Sequence, residues 1–223
     1  METPIILPVC ITIDVSASME NGSIEALNAC LPDLKAMMLD EPLVAELTRV
    51  GIVVFNDQAD QAVPLTDLTE VEMPQLQAVG GTSYKAGLQE TRTFLEQSVR
   101  SLGSNAQYYT PIVFFLSDGQ PLDSESEWGP EADALRTGKY RANVVCFGFN
   151  QADPQLLRKI GRTFLFQEAN PVLAVKEIFK TLIGSIKTTS MSAREASGPK
   201  GIVFPEDILQ NADLFMEMDV QGV

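Results

Sequence analysis

"VCITIDVSASMENGS", Val9 to Ser23, sets an apolar run directly against Asp14, Ser16 and Ser18 and then falls into Asn, Gly and Ser. The run has no polar alternation, so it reads as a strand covered on both faces, the kind that belongs to a parallel sheet. Three short oxygen-bearing side chains at alternate positions after such a strand leave three readings open. They could be a nucleophile with helpers, half of a cation site, or a capped helix start.

The same kind of run recurs at 6–14, 49–56, 61–65, 111–118, 142–150 and 163–167. Helical patterns lie between them at 23–40, 83–102, 153–161 and 170–189, with a shorter one expected near 124–138. Near-continuous apolar strands alternating with helices predict an α/β fold whose mostly parallel sheet carries helices on both faces. The closely spaced pair around Val53 and Val63, joined by "NDQAD", predicts the one antiparallel excursion. Ser23 reads as a plain helix cap, and Asp153-Pro154 and Asn170-Pro171 each place a capping side chain before a proline at the first helical position. Pro32, inside the first helical pattern, predicts a kink or a break.

With 223 residues and 45% apolar side chains the chain can bury a sizeable single core. The absence of histidine removes Ser-His-Asp and Cys-His nucleophile systems and nearly all catalytic zinc sites in one step. Thirty acidic against sixteen basic residues, net charge −14, argue against nucleic acid and an anionic membrane surface as partners. Cys10, Cys30 and Cys146 are odd in number and far apart, so they read as reduced, buried thiols. "METPIILPVC" lacks the basic start and small-residue cleavage site of a secretory signal, and no run is long enough to cross a bilayer, so a cytoplasmic location is expected.

In a doubly wound sheet, ligands bind beyond the carboxyl ends of the strands, where the strand order reverses. Asp14 ends the first strand and Asp118 ends "PIVFFLSD", so the two carboxylates are expected at one edge although about a hundred residues separate them. "VGGTSY", 79–84, adds a loop-to-helix junction with Thr82. Asp14, Ser16, Ser18, Thr82 and Asp118 are all oxygen donors, a set suited to Mg²⁺ or Mn²⁺ and not to softer ions. Ser83 reads as the cap of the helix at Tyr84, and Asp57 and Asp123 as turn residues.

"DVSAS", the Gly-Gly-Thr loop and "SDGQP", in that order, resemble the metal-ion-dependent adhesion site of von Willebrand factor type A (vWA) domains, and the resemblance spans about residues 4–187. It implies a Rossmann-like three-layer α/β/α domain at 1–189, with a mainly parallel six-strand sheet and one antiparallel edge strand. It also implies that Ser16, Ser18 and Thr82 contact the metal, that Asp14 and Asp118 bind it through water or directly, and that a protein partner's Asp or Glu completes the coordination. "VVFNDQADQAVPLTDLTEVEMPQLQAVGGTSYKAGL" and "LLRKIGRTFLFQEANPVLAVKEIFKTLIGSI" look like bacterial TerY-type proteins of tellurium-resistance and stress-response clusters. That likeness implies kinases or PP2C-type phosphatases as neighbours. Thr82 lies on a Gly-rich loop able to shift between direct and water-mediated contact, and related domains couple such a shift to the last helix, here about 171–188, so a conformational switch is expected.

The rival is a Mg²⁺-dependent phosphohydrolase of haloacid dehalogenase type using Asp14 as nucleophile. Such enzymes need an acid two residues later to protonate the leaving group, and position 16 is serine; Lys85, the nearest phosphate-stabilising cation, opens a helix. A Ser16–Lys85 hydrolase lacks any marked oxyanion hole. A non-catalytic adaptor or scaffold is the expectation. Trp128, in a polar stretch, reads as partly buried or as an exposed anchor for a partner. Residues 190–223 read as a flexible linker and an acidic, apolar tail. That tail would pack on the core or a neighbouring copy, or offer the metal one of Glu206, Asp207, Asp213, Glu217 and Asp219.

Overall fold

The computed structural model describes residues 5–67, 69, 72–103, 106–166, 170–193, 201–205 and 215–218. Strand β1, Leu7–Asp14, is buried along its whole length, as its unbroken apolar run requires. It pairs in parallel with β2, Thr48–Phe55, on one side and with β4, Ile112–Ser117, on the other. Beyond β2 lies β3, Ala59–Thr66, antiparallel to it; beyond β4 lie β5, Asn143–Gly148, and β6, Arg162–Phe166, both parallel. These six strands are the predicted sheet, with β3 as its antiparallel edge.

A further short strand, β7, Phe215–Met218, adds antiparallel to β6, so the full order is β3-β2-β1-β4-β5-β6-β7. The tail's mixture of acidic and apolar residues shows no strand period, which is why the sequence does not announce β7. Of the five tail carboxylates considered for the metal, Glu206, Asp207, Asp213 and Asp219 lie outside the described residues, and Glu217 falls in β7.

Alternation along β1 feeds two cores. Val9, Ile11 and Ile13 face helices α1, Ser23–Asp40, and α6, Pro171–Ser192, with Leu27, Leu31, Ile178 and Leu182 among the side chains they meet. Cys10 faces the opposite layer with Val53, Val113 and Phe115. That layer is α3, Tyr84–Ser101, α4, Glu125–Thr137, and α5, Pro154–Ile160, contributing Leu88, Leu95, Leu135 and Leu157. Thr12 also points to that layer, and its hydroxyl meets the Thr91 hydroxyl at 2.7 Å. All three cysteines are buried free thiols, and burial pushes Cys10 up to about 12.

Asp153 and Asn170 cap as predicted, accepting from the amides of Gln155 (2.8 Å) and Val172 (3.0 Å). Two local expectations change, and one short helix is new. Ser23 is the first residue of α1 and donates from both amide and hydroxyl to Asn21 Oδ1, so Asn21 does the capping work assigned to it. No break occurs at Pro32: α1 runs through it, with Pro32 exposed so that water can meet the carbonyl its ring leaves without a donor. A six-residue helix, α2, Pro42–Leu47, precedes β2; it is too short to show a period. Among the described residues no helix is long and apolar enough to cross a membrane.

Candidate metal centre

Strand order reverses about β1 and β4, so the carboxyl ends of those two strands form the rim of a crevice. Asp14 is the last residue of β1, and Asp118 directly follows β4. Asp14 Oδ1 accepts from the Ser16 amide at 2.9 Å and Oδ2 from the Ser117 hydroxyl at 2.6 Å. The Ser16 and Ser18 hydroxyls are 2.9 Å apart, and Ser18 donates to Asp118 Oδ1 at 2.5 Å. A single hydrogen-bonded chain thus joins two residues a hundred positions apart with the serines between them.

Thr82 enters from the third loop. A methyl placed on Gly119 would lie 3.4 Å from Ser18 Oγ and 3.6 Å from Thr82 Oγ1, so both hydroxyls face one small space in front of that glycine. The structure therefore brings all five predicted residues together. Asp14, Ser16, Thr82 and Asp118 are buried and Ser18 is exposed.

The loop carrying Thr82 is tied down on both sides. Val79 donates from its amide to Val15 O (2.8 Å), and Ala17 donates to Gly80 O (3.0 Å), which stitches the loop to the turn after β1. Gly80 has φ +80°, and a Cβ there would stand 2.4 Å from Asp57 Oδ2; only glycine satisfies both the dihedral and the close approach. Asp57 Oδ2 accepts from the Gly81 amide at 2.9 Å, so Asp57 is a loop fastener and more than a turn residue.

Asp123 does similar work across the site, accepting from the Ser83 hydroxyl (2.8 Å) and the amides of Tyr84 (3.1 Å) and Lys85 (2.7 Å). Ser83 in turn accepts from the Ala86 amide, which confirms it as the α3 cap. A negative group at the positive end of an eighteen-residue helix is stabilising. Asp123→Ala is expected to lower stability by about 1–2 kcal/mol. Urea denaturation reads this; an unchanged midpoint would show that Asp123 holds nothing.

Sequence reasoning missed three supporting side chains. Ser117, the last residue of β4, holds the buried Asp14 carboxylate, and Tyr84 donates from its hydroxyl to Gly119 O (3.0 Å) and Ser117 Oγ (3.3 Å). Asn150, left-handed at φ 52°, donates to Asp118 Oδ2 at 3.2 Å. Its one signal was its place just beyond β5, the strand next to β4. Trp128, read as partly buried or as an exposed anchor, is fully buried at 1% exposure: it lies on the core-facing side of α4, the helix expected near 124–138, which Ser124 and Glu127 open with a capping box.

Electrostatics show what the centre lacks. Burial pushes Asp14 up to about 6, against hydrogen bonds from Ser117 and Ser16 that pull it down and with repulsion from Asp118 adding to the rise. Burial raises Asp118 as well, against hydrogen bonds from Ser18 and Asn150. No described Lys or Arg pairs with either carboxylate. Two buried acids without a counter-charge are costly unless a cation joins them or one keeps its proton. Among the described residues no three His, Cys, Asp or Glu side chains converge as a metal-binding group, so a cation here must take hydroxyl oxygens beside the two carboxylates. That donor set fits a hard divalent ion.

The sequence matches the description "von Willebrand factor type A domain" over residues 9–181. No curated protein matches it. The fold is similar to that of proximal thread matrix protein 1 from the mussel byssus with a zinc occupied MIDAS motif, at TM-score 0.60 and 17% identity over 83% of this chain and 49% of that one. It is also similar to the pilus adhesin SpaC from Lactobacillus rhamnosus GG in its open conformation, at TM-score 0.64 and 14% identity over 83% and 30%. A third similar structure is the vWF domain of the type V pili tip protein Mfa5 from Porphyromonas gingivalis, at TM-score 0.57 and 13% identity over 80% and 95%. At such identities the likeness establishes the fold alone. The chain spans less than half the length of the first structures it resembles.

Proposed function

The chain belongs to the von Willebrand factor type A domain family, and on that premise we propose that it is a divalent-metal-dependent protein-interaction module and not a catalyst. Asp14, Ser16, Ser18, Thr82 and Asp118 would hold Mg²⁺ or Mn²⁺, and a partner's Asp or Glu would complete the coordination. The bound ion supplies an electrophilic position for a carboxylate. The observation that carries this reading is the pair of buried, unpaired carboxylates bridged by serine hydroxyls at the switch point of the sheet. A mussel structure of the same fold has zinc in its MIDAS motif, so Zn²⁺ belongs among the ions to be tried.

The phosphohydrolase alternative is not favoured by the position of Asp14. Both its oxygens are engaged, by the Ser16 amide and the Ser117 hydroxyl, and it is wholly buried, which suits a positioning role and obstructs in-line attack. The quoted likeness to TerY-type proteins supports a bacterial stress-response or tellurium-resistance setting, a cytoplasmic location, and kinases or PP2C-type phosphatases as candidate partners. The test is affinity capture from lysate with added Mg²⁺ or Mn²⁺, against chelator and against the Ser16→Ala, Ser18→Ala double variant. Metal-dependent capture lost in the double variant supports the reading. Chelator-insensitive capture by both proteins, or phosphatase turnover by the wild type alone, ends it.

The raised Asp14 acidity gives a pH signature. In the metal-free fold the carboxyl holds its proton up to about pH 6, against an ordinary 3.8, so its contribution favours the fold at low pH and is lost as pH rises from about 4 through 6. A cation competes with that proton. Apparent Mg²⁺ affinity is therefore expected to rise about tenfold per pH unit between pH 4.5 and 6 and to level off above about 7. Calorimetric titration across that range checks it; a flat profile would mean that Asp14 is already ionised in the metal-free protein.

A further inference from the structure

Five large hydrophobic side chains are exposed among the described residues, and the two most exposed, Leu122 (79%) and Val79 (59%), both have backbone hydrogen-bonded to the loops that carry the candidate metal centre. Single exposed apolar residues are ordinary. These two differ in being fixed to the loops that carry the site. Leu122 donates its amide to Thr82 O at 2.9 Å, and Val79 donates to Val15 O at 2.8 Å. A Cβ built on Gly81 would stand 2.6 Å from Leu122 Cδ1, so the leucine covers the glycine next to Thr82 while its outer surface stays in water.

We propose that Leu122 and Val79 are the specificity-determining residues of this face, receiving an apolar side chain that stands beside the metal-seeking carboxylate in the partner. The inference rests on the metal-and-carboxylate reading above and adds what that reading omits. A cation attracts any accessible Asp or Glu, and in a chain of net charge −14 the surroundings repel acidic partners in general. Discrimination has to come from contacts next to the ion. Their backbone is already held by hydrogen bonds, so binding would order only the two side chains, and an apolar neighbour laid over them would keep water from the carboxylate–metal contact. The occupant is thus an Asp or Glu with Leu, Ile, Phe or Met alongside.

The experiment uses an array of short synthetic peptides with a fixed central Asp, flanked in turn by Leu, Ile, Phe, Met, Ser, Thr, Gln or Lys, probed with the full chain in Mg²⁺ and in chelator. The expected result is Mg²⁺-dependent binding that is about tenfold stronger for the apolar neighbours. Leu122→Ser with Val79→Ser should erase that preference while Mg²⁺ affinity stays at the wild-type value; Leu122→Met should keep it. Mg²⁺-dependent binding without apolar preference overturns this proposal and leaves the metal reading standing. Preference that survives in the double serine variant also overturns it. Binding to no peptide in Mg²⁺ sinks the metal reading and this inference with it. Should the serine variant lose Mg²⁺ affinity, Leu122→Met and Leu122→Gln decide alone, and equal preference in those two counts against the proposal.

Discussion

Asp14→Asn is expected to weaken Mg²⁺ binding about 10- to 100-fold while making the metal-free protein more stable at pH 7.5. The two effects have one cause. A carboxyl whose acidity is pushed from 3.8 to about 6 by burial is ionised at pH 7.5 against its surroundings, a penalty of up to about 3 kcal/mol at 1.36 kcal/mol per unit. Asparagine keeps the shape, can still accept from the Ser16 amide and can meet the Ser117 hydroxyl, but carries no charge to bury. The stabilisation should shrink below pH 5, where the wild-type carboxyl holds its own proton. Saturating Mg²⁺ should narrow the gap by about 1.4–2.7 kcal/mol, the free-energy equivalent of a 10- to 100-fold difference in affinity. Thermal unfolding at pH 7.5 and 4.5, with Mg²⁺ and with chelator, gives four comparisons. A variant less stable than wild type in chelator at pH 7.5 would mean that the carboxylate already has a compensating partner.

Much of this arrangement could be read from the sequence because its decisive features are local. The β1 run is apolar at both parities, so it must be buried on both sides, and the two cores fed by Val9, Ile11 and Ile13 and by Cys10 follow from that. Asp14 and Asp118 end their strands, and strand ends at a switch point meet whatever their separation in the chain. The supporting residues were hidden for a different reason. Ser117 looks like one more strand residue, Tyr84 like a helix start and Asn150 like a loop residue; their roles depend on which strands are neighbours, which no local pattern encodes. Asp57 and Asp123 are turn-type residues whose carboxylates reach 24 and 40 positions along the chain, to Gly81 and Ser83. β7 was invisible because pairing with the free edge of β6, and not its own composition, makes it a strand.

Trp128 was misread for want of the same long-range information, and its burial sets up the largest expected loss of stability. Its ring meets Tyr84 edge-on at a centroid distance of 6.0 Å, and Tyr84 packs against Phe115 at 5.2 Å and Phe55 at 6.3 Å. This aromatic group lies in the α3–α4 core, and the Tyr84 hydroxyl extends from it to Ser117 and Gly119, the residues on either side of Asp118. Trp128→Ala removes the largest buried side chain and is expected to cost about 3–5 kcal/mol. The loss should reach the metal as well, since a Tyr84 ring free to lean into the cavity no longer fixes the Gly119 carbonyl or supports the serine that holds Asp14. Tyr84→Phe separates the two effects: it deletes the hydroxyl without a cavity, so it should cost only about 1–2 kcal/mol yet weaken Mg²⁺ binding. Urea unfolding and Mg²⁺ titration of both variants provide the comparison. Wild-type metal affinity in Tyr84→Phe would show that the ring packs beneath the centre without positioning it, and the link from α4 to the metal would then be one of stability alone.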